Sequence, residues 1–127
     1  SNIPYREEYV LRTKSNVDAG INAAKTLLQL KTPPDAIFSS SDFAGLGAIQ
    51  EVKEQGYDIP KDFCVVGFGN EPFTKFMELS ISSVDQSPLE MGKVAAKVFL
   101  EQNSNNIKLE KKVILTPELI TRKSSNR

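Results

Sequence analysis

Three stretches of this sequence carry side chains that chemistry could use: Ser39-Ser40-Ser41-Asp42, the single Cys64, and Gly67-Phe68-Gly69-Asn70-Glu71. Nucleophilic catalysis meets an immediate deficit, because the 127 residues include no histidine, the side chain best suited to proton transfer at neutral pH. Cys64 lies in the apolar run Phe63 to Val66, where a small buried core residue is expected rather than an activated thiolate. The serines lack both the glycine frame of a nucleophile elbow and a base. Gly67 and Gly69 are not followed by a third glycine opening a helix, nor by an acid at the spacing a dinucleotide site needs. No enzymatic activity, metal site or cofactor is expected.

What remains is binding. In an open α/β sheet, ligands gather beyond the carboxyl ends of the strands, where small and polar residues let substituents approach the backbone. Two such ends are candidates, Ser39 to Phe43, with Ser41, Asp42 and Phe43, and Gly67 to Asn70, with Gly69 and Asn70, and Gln86 is a third polar residue just after a strand. Each has a plainer reading beside it. Asp42 before an apolar-periodic run also suits a helix N-cap, which is the better reading of that residue alone. Gly67 suits a tight turn, and Gln86 an ordinary loop.

The elements that must position these residues alternate. Tyr9 to Thr13 leans to strand, and Asn16 then offers an oxygen to cap a helix with Val17, Ile21, Ala24 and Leu28 on one face. Pro33 and Pro34 stop that helix. Ala36 to Ser40 reads as a short buried strand, after which Ser41 or Asp42 can cap a helix running to about Gln55, with Leu46, Ile49 and Val52 inward and Gly56 as its stop. Ile59 to Asp62 is a turn, Phe63 to Val66 a third strand, Phe68 to Ser80 an irregular connection, and Ile81 to Val84 a fourth strand. Pro88 opens a helix ending near Gln102, with Met91, Val94, Ala95 and Val98 on one face. Asn103 to Asn106 is a polar turn, a final strand follows the alternating Lys111 to Leu115, and Lys123 to Arg127 is a polar tail expected to fray. Such alternation predicts an α/β domain with an open parallel sheet and helices on both faces.

Bulk properties narrow the partners. Sixteen basic and sixteen acidic residues cancel, so no long-range field exists to hold a phosphate backbone. One unpaired cysteine fits a reducing, cytoplasmic compartment, and no apolar run reaches the roughly 20 residues of a membrane span. The start at Ser1-Asn2, without methionine, suggests a piece of a longer protein.

The stretches "PPDAIFSSSDFAGLGAIQEVKEQGYDIPKDFCVVGFGNEPF", "ISSVDQSPLEMGKVAAKVFLEQ" and "LTPELITRKSS", in this order and spacing, closely resemble the C-terminal half of the effector-binding region of lactose-repressor/galactose-repressor transcription regulators. The resemblance covers about Asp18 to Ser125. It implies the second lobe of a periplasmic-binding-protein-like fold plus a crossover helix across residues 1–127, from a protein whose DNA-binding domain and first lobe lie elsewhere. The implied function is sensing a small effector, a sugar or sugar derivative, to control operator binding by a cytoplasmic homodimer. Operator DNA would be touched only through the missing N-terminal domain. A solute-binding protein of a transport system, built from the same lobes, is the alternative.

By the same resemblance Ser41, Asp42, Phe43, Gly69, Asn70 and Gln86 line the effector wall, and Leu46 and Met77 face a partner subunit. Gly69 stands where the family typically has aspartate, Ser41 where asparagine is frequent, and the aromatic expected near Lys14 and Ser15 is absent. The wall thus keeps polar groups but loses its usual carboxylate. The face of the last helix bearing Met91, Val94 and Val98 would pack on the first lobe, and without that cover a non-native contact is expected there.

Overall fold

The structure, a computed structural model, describes residues 4–104 and 110–127. After a one-turn 3-10 helix at Glu7–Tyr9, the order is α1 (Val17–Leu28), β1 (Ala36–Phe38), α2 (Asp42–Glu54), β2 (Cys64–Phe68), α3 (Phe73–Phe76), β3 (Ser82–Asp85), α4 (Pro88–Ser104) and β4 (Glu118–Ile120).

Helix α1 begins as its sequence dictates. Extended Asn16 accepts the Ala19 N–H at 2.9 Å, satisfying one of the free amides of the first turn. Helix α2 ends at a left-handed Gly56 with φ +86°. The two helices approach to backbone contact. A Cβ on Gly20 would overlap the Ala44 carbonyl, and one on Gly47 would overlap that of Val17. Their inner face supplies Ala24, Ala48, Ile49 and Val52 to a core completed by Phe63, Val65 and Ile81 from the sheet side.

The sheet order is β1-β2-β3-β4. The first three strands are parallel, Ala36 facing Cys64 and Val66 facing Ser82, so their carboxyl ends emerge on one side. β4 closes the edge antiparallel to β3, with Asp85 opposite Glu118, which makes the sheet mostly rather than wholly parallel.

Several expectations need correction. Tyr9 to Thr13 forms no strand: beyond the 3-10 turn it runs unpaired beside β1, tied by the Tyr9 hydroxyl to the Thr32 carbonyl at 2.7 Å, because β-propensity without a ladder partner does not make a strand. The stretch after Phe68 contains the single turn α3, β3 starts one residue later than expected, and α4 runs to Ser104. Asn105 and Asn106 of the expected turn lie outside the described residues. Cys64 opens β2 instead of sitting mid-strand, half-buried, with its thiol donating to the Pro60 carbonyl at 3.5 Å.

The tail is docked, not frayed. Ser124, fully buried, wedges between the amino ends of β2 and β3: its hydroxyl donates to the Val65 carbonyl (2.6 Å) and accepts from the Ser82 N–H (2.8 Å), and its carbonyl accepts from Val65 N–H (2.9 Å). Arg127 then donates to the carbonyls of Pro60, Asp35 and Asp62. By contrast, no residue from 88 to 103 is buried, and Met91 and Phe99 of α4 are 48% and 66% exposed. Among the described residues none packs closely enough to bury the apolar face of α4: Val94 and Val98 are half-buried and Met91 stays exposed beside an open groove.

Candidate functional site

Beyond the carboxyl ends of β2 and β3 the chain turns sharply twice. The Gly69 N–H still reaches the Val84 carbonyl at 2.9 Å, but Gly69 itself has φ +123°, a conformation that glycine alone adopts freely. Asn70 (φ 53°) and Ser87 (φ 54°) follow in the left-handed region, the two non-glycine residues to do so among those described. Both line one cavity of about 410 Å³ with Gly69, Lys75, Asp85 and Lys93. Left-handed backbone at non-glycine residues costs free energy and tends to cluster where the chain serves a ligand.

A polar network underlies this wall. Asp42, 1% exposed, does not cap its own helix: the N-cap is Ser41, which makes no side-chain capping bond. Instead the Asp42 carboxylate turns toward the strand ends, where Oδ1 accepts from the Ser83 hydroxyl (2.6 Å) and Oδ2 from the Glu71 N–H (2.7 Å). Of the two capping residues expected, Ser41 takes the N-cap position and Asp42 does not, because a buried carboxylate finds better partners across the sheet than along its own turn. Gly67 is required here by space, since a Cβ would occupy the position of Asp42 Oδ1. The Asn70 N–H donates to Ser83 Oγ at 2.9 Å, its Nδ2 to Asp85 Oδ2 at 2.8 Å, and its Oδ1 accepts from Arg122 Nη2 at 2.6 Å. The Ser87 N–H, donating to Asp85 Oδ1 at 2.7 Å, and then the Asn70 amide hold the Asp85 carboxyl below its ordinary range, with help from Lys75 and Arg122 and against some desolvation.

The other expected residues are spread around this centre. Phe43 is half-exposed with its ring 5.0 Å from that of Phe73, and half-buried Ser41 takes part in a local turn, its carbonyl accepting from Ser39 Oγ at 2.8 Å. Gln86 opens onto a different space, a groove of about 610 Å³ between α4, Phe68 and the segment around Val113. Leu46 and Met77 are half-buried and pack against the core cluster. Sequence reasoning missed Ser83, Asp85 and Arg122. The first two carried a readable signal, since residues two apart on a strand share a face and both lie just before Gln86.

The model of the periplasmic binding protein-like domain matches residues 1–125. The HTH-type transcriptional repressor CytR of Escherichia coli K12 is 35% identical over 95 residues, which cover 75% of this chain and 28% of that protein. Among solved structures, a transcriptional regulator LacI of Bacillus cereus subsp. cytotoxis NVH 391-98 superposes with a TM-score of 0.92 at 28% identity, covering 98% of this chain and 44% of the other. A transcriptional regulator CelR–cellobiose complex gives 0.89 at 27% identity, covering 97% and 38%. The chain spans less than two-fifths of the length of the curated relatives it matches.

Proposed function

Because the chain belongs to the periplasmic binding protein-like domain family, within the lactose-repressor/galactose-repressor type of transcription regulator, we propose that it is the effector-sensing lobe of such a regulator, binding a sugar or sugar derivative. The carrying observation is the clustering of Gly69, Asn70 and Ser87, all with positive φ, around one cavity at the carboxyl ends of β2 and β3. A relative of 27% identity solved with cellobiose supports the sugar class.

In this reading Gly69 and Asn70 form the wall, Ser41 and Phe43 its neighbouring rim, and Asp42 braces the wall from beneath, since both its oxygens already have partners. Gln86 belongs to the side where α4 meets the rest of the protein. Operator binding lies with a separate N-terminal domain, since the chain's sixteen cations are cancelled by sixteen anions. Pairing of two copies would use the α2 side near Leu46 and Met77, in the cytoplasm. Among the described residues no helix is long and apolar enough to cross a membrane.

The test is thermal denaturation of the full-length protein against cellobiose, D-ribose, D-glucuronate and purines. A compound that binds only the native state stabilises it by about 2.7 kcal/mol at a hundredfold excess over its dissociation constant. A rise in melting temperature with any of the sugars supports the reading, and response to purines alone would move the effector to another class. Silence throughout would count against an effector site of this kind.

A further inference from the structure

Asn70 occupies a left-handed backbone conformation at the centre of the wall, and its side-chain amide has two possible orientations that present opposite chemistry to a ligand. The neighbours leave one choice. Arg122 carries only donors and Asp85, ionised, only acceptors, so Oδ1 must face the guanidinium and Nδ2 the carboxylate. A reversed amide would place NH₂ against guanidinium and oxygen against carboxylate. With the correct orientation Oδ1 is engaged, one Nδ2 hydrogen is engaged, and the second Nδ2 hydrogen is left over.

Arg122 is itself held by more than Asn70. Its Nη1 donates to the Ile81 carbonyl (2.7 Å) and to Thr74 Oγ1 (3.1 Å), tying α3, the start of β3 and the wall through one planar fork. We propose that Arg122 is a positioning residue of the effector wall: reaching from the segment after β4, it fixes Asn70 in its left-handed conformation and in the amide orientation that offers the ligand an N–H donor. The wall then selects for an acceptor oxygen on the effector, and Gly69 beside it contributes no competing carboxylate. Lys75 adds a donor on the same cavity, where Lys93 pairs with Glu90 at 3.7 Å and Asp85 is engaged by Asn70 and Ser87. The functional meaning of this role rests on the effector-wall reading given above, but the positioning itself does not.

The experiment is hydrogen–deuterium exchange on the ligand-free full-length protein, comparing wild type with Arg122→Met and the milder Arg122→Lys, which keeps stem and charge but loses the fork. Backbone amides of Gly69 to Glu71 should exchange about tenfold faster in both variants, while those of α1 and α2 stay within about twofold of wild type. Unchanged exchange at residues 69–71, or an equal rise across α1 and α2, would overturn the proposal by making Arg122 neutral or a general stabiliser. Should Arg122→Met not fold, the Arg122→Lys comparison decides. Because no ligand is used, a silent sugar panel sinks the effector reading alone, and unaltered exchange sinks only the positioning role.

Discussion

A single buried carboxylate, Asp42, shows how residue-scale chemistry shapes the wall. It accepts from a side chain 41 positions away and an amide 29 positions away, so its removal strands both donors. Asp42→Ala should lower unfolding free energy by about 3 kcal/mol in urea titration, the cost of leaving a hydroxyl and an N–H unpaired in the interior. A loss under about 1 kcal/mol would show that water replaces the carboxylate. Gly69→Asp, which introduces the acid that the family resemblance places here, is expected to destabilise this chain by about 1–3 kcal/mol, because φ +123° strains any side chain and the new carboxylate approaches Asp42. Asp85 sets a pH response. Its folded pKa is lowered, so its contribution is present above the ordinary carboxylate value of about 3.9 and lost as pH falls through the depressed value. Acid titration of stability should therefore be shallower below about pH 4 in Asp85→Asn than in wild type. The residue types at this wall were readable beforehand; which of their atoms were already engaged was not.

Between elements, α1 and α2 depend on the absence of side chains where they touch. Gly20→Ala would drive a methyl into the Ala44 backbone, which cannot swing aside as a flexible side chain could, and should cost about 1–3 kcal/mol, the range for overpacking. The helices themselves followed from apolar spacing and the Asn16 cap, yet nothing in that spacing distinguished Gly20 from an ordinary helix weakener. Helix α4 is the counterpart. It also followed from periodicity, but none of its residues from 88 to 103 is buried, so Ile49→Ala should cost about 2–5 kcal/mol and Met91→Ala under about 1 kcal/mol in this chain. Equal losses in paired chemical melts would mean that α4 belongs to the cooperative core. Periodicity reports that a helix has an apolar face, not whether this segment of chain supplies the surface to cover it.

At the scale of the whole molecule, the last residues hold the sheet together. The Ser124 hydroxyl and backbone complete hydrogen bonds that β2 and β3 leave open at their amino ends, and Arg127 ties the loops before β1 and β2. Ser124→Ala removes only the hydroxyl, leaves the Val65 carbonyl and the Ser82 N–H without that partner, and should cost about 2–4 kcal/mol by denaturant titration. A near-neutral result would return the tail to the frayed state that its polar composition predicts. Composition misled here because serine is as well suited to satisfying buried backbone groups as to solvent exposure.

Local pattern determined most of the helices and strands and the α/β class, because these depend on periodicity, capping and turn residues within a few positions of one another, while the strand expected at Tyr9 to Thr13, the α3 turn and the antiparallel β4 escaped it and the family rested on the resemblance of longer motifs. Tertiary structure decided which polar groups are spent and which remain for a ligand. Asn70 meets Arg122 across 52 residues and Ser124 meets Val65 across 59, and hydrogen-bond partners at such separations leave no periodic trace in the chain that forms them.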